Sequence, residues 1–196
     1  RLEDPRWFLV RNVIHILGEL GDPAILPSLR GAARHEDARV RKEVVKTALR
    51  LGGPDAEALV VQACSDPDRT VQVAGAMALS GMKGPETEAV ILDLIARTGV
   101  GAGADAEMRQ EAIAAAGRRK MAEAVAPLRE ILRRRGLLGY TESTELRIAA
   151  ARALGGIGNE EALEILRAAS NEDARSDVRE VALAILGEVT AGQSAR

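Results

Sequence analysis

The chain has 196 residues, of which 46% are apolar, 29% charged and 2% aromatic, and its net charge is −2. That balance argues against a general polyanion binder, and no apolar run approaches the roughly 18 residues of a membrane span. Cys64 is the only cysteine and cannot form an intramolecular disulfide, and Arg1 opens no signal-peptide pattern, so a cytoplasmic setting is expected.

From the N-terminus, Trp7 and Phe8 precede the first of six equivalent points, Val10, Arg41, Gln72, Arg109, Arg147 and Arg179, separated by 31, 31, 37, 38 and 32 residues. A period of this length marks a helical solenoid. One residue before each point stand Leu9, Val40, Val71, Met108, Leu146 and Val178. Three and seven residues later the columns are again mostly Val, Ala and Leu, so these offsets share one helix face. A second apolar stripe follows in each repeat, as Ile25, Leu29 and Ala32 in the first and Ala124, Leu128 and Ile131 in the fourth.

The turns between stripes carry their own signals. Gly21, Gly52 and Gly158 share a column that suits positive φ just past a helix end, and Asp22-Pro23 and Asn159 suit the start of the next helix. Asp37, Asp68 and Asp105 stand four residues ahead of a reference point and are expected N-caps. The expected fold is all-α, a right-handed α-α superhelix of about five and a half helix hairpins. It is read as one solenoid over 1–196, with repeats at 4–34, 35–65, 66–97, 104–134, 142–171 and 172–190. The missing initiator Met and the half repeat from Asp177 to Glu188 are read as marks of a segment of a longer chain. Leu9, Val13, Ile16 and Leu17 are then expected to leave an apolar edge, with Trp7 and Phe8 packing against the preceding helix or a missing upstream repeat rather than forming a ligand platform, or else closing that end as a local cap.

Phrases such as Leu17-Gly18-Glu19-Leu20-Gly21-Asp22-Pro23, Val40-Arg41, Asp66-Pro67 and Leu154-Gly155-Gly156-Ile157-Gly158 resemble the short bacterial HEAT repeat, the type also found in phycobilin lyase subunits. The resemblance runs from about Asp4 to about Leu186. It implies that Arg41, Arg109, Arg147 and Arg179 form a structural ladder tying repeats together through loop carboxylates, interrupted at Val10 and Gln72. A phycobilin lyase-like subunit or chaperone is the alternative function it carries.

Candidate functional positions are few. Two connections are longer than the base period, and loops often carry binding residues. Thr98 to Ala104 reads as a flexible spacer. Arg133 to Thr141 joins a basic helix end to Leu137, Leu138 and Tyr140, which either contact a partner or tuck onto the core. The exposed columns of the second helices hold Arg30, Arg34, Arg129, Arg133 and Arg167 among interspersed acids, either a solvated face or a groove for an acidic protein. Arg118, Arg119 and Lys120 lie at the far end of a helix from Arg133 to Arg135, and aromatic platforms are nearly absent, so nucleic acid is not the expected partner.

His35-Glu36 is similar to one of the His-Glu pairs with which HEAT-like deoxyhypusine hydroxylases hold iron, but only His15 and His35 are present where several pairs are required. Cys64 is expected to be a buried thiol, His35 to decorate a turn and His15 to lie on a partly exposed helix surface. The expectation is a non-catalytic scaffold for a protein partner of unknown identity. It is taken to be monomeric, without cofactor, metal, nucleic acid or membrane.

Overall fold

The computed structural model describes residues 2–97, 104–133, 135, 136, 139, 140, 142–173 and 175–194. The chain divides into two compact units, one of residues 1–90 with 101–108, the other of 91–100 with 109–196. The expected spacer is outside the described residues except for Ala104.

In the first unit α1 (Trp7–Leu20), α3 (Ala38–Leu51) and α5 (Arg69–Ala78) are the first helices of successive repeats, and α2 (Leu26–Ala32), α4 (Pro54–Ala63) and the start of α6 (Pro85–Ala96) are the second helices. α1 packs on α3, α3 on α4 and α5, and α4 on α5. Val40, Val44, Ala48, Val60, Val71 and Leu79 close the core between them. In the second unit, α7 (Ala104–Arg119, from Arg109 on), α9 (Thr144–Ile157) and α11 (Ser176–Ser194) alternate with α8 (Val125–Arg133) and α10 (Glu160–Glu172). α8 packs on α9, and α9, α10 and α11 pack on one another around Leu128, Leu154, Leu166 and Val178.

The helices start and stop where the backbone's free groups find partners. Gly21, Gly52 and Gly158 have φ of 74°, 68° and 67°, a region that costs a residue with a Cβ but not glycine. Asp37 accepts a hydrogen bond from Arg39 N at 2.9 Å and Asp68 from Thr70 N at 2.8 Å, while Ser143 and Asn159 cap α9 and α10. Asp105 is not a cap. α7 opens at Ala104, which places Asp105 in its first turn, where a carboxylate meets the positive end of the helix dipole. A cap that the spacing does not announce serves α6: Glu57, on α4, accepts from Thr87 N at 2.8 Å.

Two details depart from the sequence pattern. Repeat one is buried one residue out of phase, through Val10, Ile14 and Gly18, while Leu9, Val13 and Leu17 are only half covered. Of the expected edge only Ile16 is left in solvent, at 58% exposure, and it is joined on α1 by Phe8 and Leu20, at 49% and 73%. Trp7 meets Phe8 edge-on at 6.0 Å, and the Arg39 guanidinium lies 3.3 Å from its ring centroid. After α8, Arg135–Gly136 and Gly139–Tyr140 form a two-residue antiparallel ladder inside an otherwise helical chain. Leu137, Leu138 and Thr141 fall outside the described residues.

Candidate functional site

The arginines of the reference column all point into the turns between repeats. Arg41 forks onto Asp66 with Nε and Nη2 at 2.8 and 2.7 Å, and its Nη1 donates to the His35 and Glu36 carbonyls at 2.8 and 2.9 Å. Arg109 forks onto Glu142 at 3.0 Å through both Nη atoms and reaches the Ile95 carbonyl at 3.4 Å. Arg147, only 1% exposed, pairs with buried Asp173 and donates to the Leu132 carbonyl. Arg179 donates to the Asp173 carbonyl. Each arginine thus holds the turn that precedes its own helix, and three of them also hold a carboxylate from the following turn. Planar bidentate geometry and low exposure make these strong pairs. Gln72 keeps half of this role, since Nε2 donates to the Asp66 carbonyl at 2.6 Å, so the ladder continues through repeat three in reduced form. Val10 is simply buried core.

The candidate residues on the second helices are scattered in their engagements. Arg30 pairs with Asp55 at 2.6 Å and Arg167 with Glu160 at 2.9 Å, both in solvent, while Arg129 stands 4.0 Å from Glu130. Arg34 and Arg133 are exposed. Exposed pairs of this kind contribute about 0–1 kcal/mol each. Tyr140 lies in the second strand of the short ladder. Arg30, Arg34, Arg129, Arg133 and Arg167 line none of the hollows described below.

A concavity does form on the exposed face of the first helices of the second unit. A groove of about 670 Å³ runs between α7 and α9 over Ala114, Ile148, Ala149 and Ala153. A second hollow, of about 520 Å³, lies between α9 and α11 over Gly155, Val181 and Ile185, and the two share Arg152 and Gly156. Glycine permits this shape. A Cβ on Gly117 would come within 2.8 Å of Ala153 Cα, and one on Gly156 within 2.9 Å of the Gly117 carbonyl oxygen. The α7 and α9 backbones therefore approach closely and leave no bulk above the contact. Glu111 and Arg118 on α7, and Glu145 and Arg152 on α9, border the groove.

The chemistry-bearing side chains are otherwise engaged in the scaffold. His15 Nδ1 lies 3.0 Å from Glu43 Oε1, His35 Nδ1 accepts from Asp37 N at 2.9 Å, and Cys64 is buried with Sγ 3.5 Å from the Val60 carbonyl oxygen. Among the described residues no group of three or more His, Cys, Asp or Glu side chains could hold a metal ion, and no helix is long and apolar enough to cross a membrane. A hollow of about 210 Å³ lies beside Arg109 and Glu142, and Arg109 Nε is buried with no hydrogen-bond partner among the described residues.

Stacked helix hairpins with a ladder in their turns define an α-helical repeat protein. The family described as HEAT repeats matches residues 1–80 and 100–187, and the chain belongs to that family. Among solved structures, an engineered protein is 19% identical with a TM-score of 0.56, over 97% of this chain and 94% of that one. Human deoxyhypusine hydroxylase in complex with glycerol is also 19% identical, with a TM-score of 0.46, over 95% of this chain and 82% of that one. The first likeness shows the fold alone, and the second bears on nothing further. No curated protein sequence matches the chain.

Proposed function

We propose that this HEAT-repeat chain is a non-catalytic scaffold that binds a protein partner. The observation that carries the reading is the open groove along α7, α9 and α11, floored by small and apolar side chains and bordered by charges. Shallow apolar surface with a polar rim is the character of a protein interface core, whereas small-molecule sites are concave enough to bury most of their ligand. The engagement of both histidines and the burial of the one thiol support the non-catalytic part of the reading.

Affinity capture from lysate of the source organism tests it with three baits: the unaltered chain, Ala149→Trp, which fills the groove floor, and Arg129→Glu with Arg133→Glu on the second-helix face. The expected result is a protein retained by the unaltered chain and by the second-helix variant but lost from Ala149→Trp, with helicity unchanged in all three. Loss only from the arginine variant moves the binding face to the second helices. No specifically retained protein with any bait overturns the scaffold reading.

A further inference from the structure

The groove between α7 and α9 has a charge order as well as a shape. On α7 Glu111 precedes Arg118 by seven residues, and on α9 Glu145 precedes Arg152 by the same interval. Seven residues of helix span about 10 Å, so each wall carries a carboxylate and, two turns toward its C-terminus, a guanidinium. Among the described residues Glu111, Arg118 and Arg152 have no side-chain ion pair or hydrogen bond, and all border the same hollow. Glu145 is held ionised, below the usual carboxylate range, by hydrogen bonds from its own backbone N–H and from Ser143. Between these ends the floor is Ala114, Ile148, Ala149 and Ala153, which offers apolar contact and no hydrogen-bonding groups of its own.

From this geometry we infer that the α7–α9 groove receives an amphipathic helix of a partner protein, with a basic side chain at one end of its apolar stripe and an acidic one about two turns away. The inference rests on the scaffold reading above and names the chemistry of the partner. The apolar stripe lies on the Ala-rich floor in the manner of a helix in a groove. The basic end meets Glu111 and Glu145, and the acidic end meets Arg118 and Arg152. A polyanion such as nucleic acid does not suit a groove whose border alternates in sign, because the carboxylates would repel it as strongly as the arginines attract it. The unpaired charges give the contact its direction, since reversing the helix sets like charges opposite one another at both ends.

The test is a selection from a display library of 16-residue peptides. Leu and Ala are fixed at i, i+4, i+7 and i+11, and the remaining positions are drawn from Lys, Glu, Ser and Ala. Against the unaltered chain, enriched peptides are expected to carry Lys near one end of the stripe and Glu about seven residues away. Against Arg118→Glu with Arg152→Glu, whose exposed positions leave the fold intact by circular dichroism, Lys should replace Glu at that second position. Individual peptides should change affinity at least tenfold between the two proteins. Ala149→Trp should abolish enrichment altogether. An enriched charge pattern that does not change with the arginine variant, or no enrichment beyond the Ala149→Trp background, overturns the inference. If lysate capture still depends on Ala149 in that event, the scaffold reading stands and only the partner's chemistry is wrong.

Discussion

The same columns of the repeat do opposite things in the two units. Five residues past the reference point the first unit carries His15, Lys46 and Met77, and the second carries Ala114, Arg152 and Ala184. Around the first set the side chains satisfy each other: His15 and Lys46 meet Glu43 at 3.0 and 3.7 Å, and Glu19 meets Arg50 at 2.7 Å. Around the second set Ala and Gly lower the surface into a groove, and Arg118 and Arg152 have no ion-pair partner among the described residues. The scaffold beneath is alike in both, since Arg41 with Asp66 and Arg147 with Asp173 make the same kind of inter-repeat tie. A repeat fold thus separates two duties, with buried turns setting the stacking and the exposed columns free to be closed in one unit and open in the other.

The largest effect should come from breaking the tie in the second unit. Asp173→Ala takes the carboxylate away from a charged Arg147 that is only 1% exposed, and is expected to cost about 3–5 kcal/mol in urea unfolding. Asp66→Ala in the first unit should cost less, about 2 kcal/mol, because Arg41 retains the His35 and Glu36 carbonyls and more exposure. Equal losses would mean that the two ties are not graded by burial. A smaller contrast concerns the close helix approaches. Gly117→Ala sets a Cβ against the Ala153 backbone and should destabilise by about 1–2 kcal/mol. Gly18→Ala meets side-chain rather than backbone atoms, with Thr47 Oγ1 at 2.9 Å and Cγ2 at 3.1 Å, and the gain in helix propensity should offset part of the cost, leaving a smaller loss of about 0.5–1 kcal/mol. Thermal melts of the two single variants decide whether the backbone contact is what holds the groove floor down.

Much of the scaffold was legible in the residues because it depends on spacing. The arginine column, the three positive-φ glycines and the capping residues Asp37, Asp68 and Asn159 recur at fixed offsets, and each answers a local need of the backbone. Glu142 was not legible as the partner of Arg109, because the longer connection before it changes the offset that places Asp66 and Asp173 opposite Arg41 and Arg147. The groove was hidden for a different reason. Ala114, Ala149 and Ala153 read in one dimension as ordinary helix formers, and only the close approach at Gly117 and Gly156 turns them into a floor. The one-residue shift of α1 likewise depends on which neighbours a helix has, and periodicity alone does not carry that.

The polar network of the first unit's outer face should be worth little by itself. Glu43→Ala removes the acceptor shared by His15 and Lys46 and is expected to cost about 1 kcal/mol, since both partners are largely exposed. Adding Lys46→Ala should change the urea midpoint little further, because the exposed Lys46 ammonium stays solvated without Glu43.

The finest difference between the units lies in how their helices are capped, and pH exposes it. Hydrogen bonding first from the Arg39 side chain and then from its backbone N–H holds Asp37 well below the usual carboxylate range, at about 2, and Thr70 lowers Asp68 in the same way. A carboxylate with a depressed folded-state pKa adds stability that is fully present above its unfolded value, near 4, and is lost as pH falls through the folded value. The cap of α3 should therefore weaken between about pH 4 and pH 2 and that of α5 as pH falls below about 4, whereas Asn159, which caps α10, does not titrate. Asp37→Asn with Asp68→Asn keeps a capping acceptor at both positions and removes the titration. Hydrogen exchange across that window should show protection of Ala38–Leu51 and Arg69–Ala78 falling with pH in the unaltered chain and falling less in the double variant. Protection of Glu160–Glu172 should respond identically in both. If the double variant loses protection in α3 as steeply as the unaltered chain, the acid sensitivity of the first unit does not come from its caps.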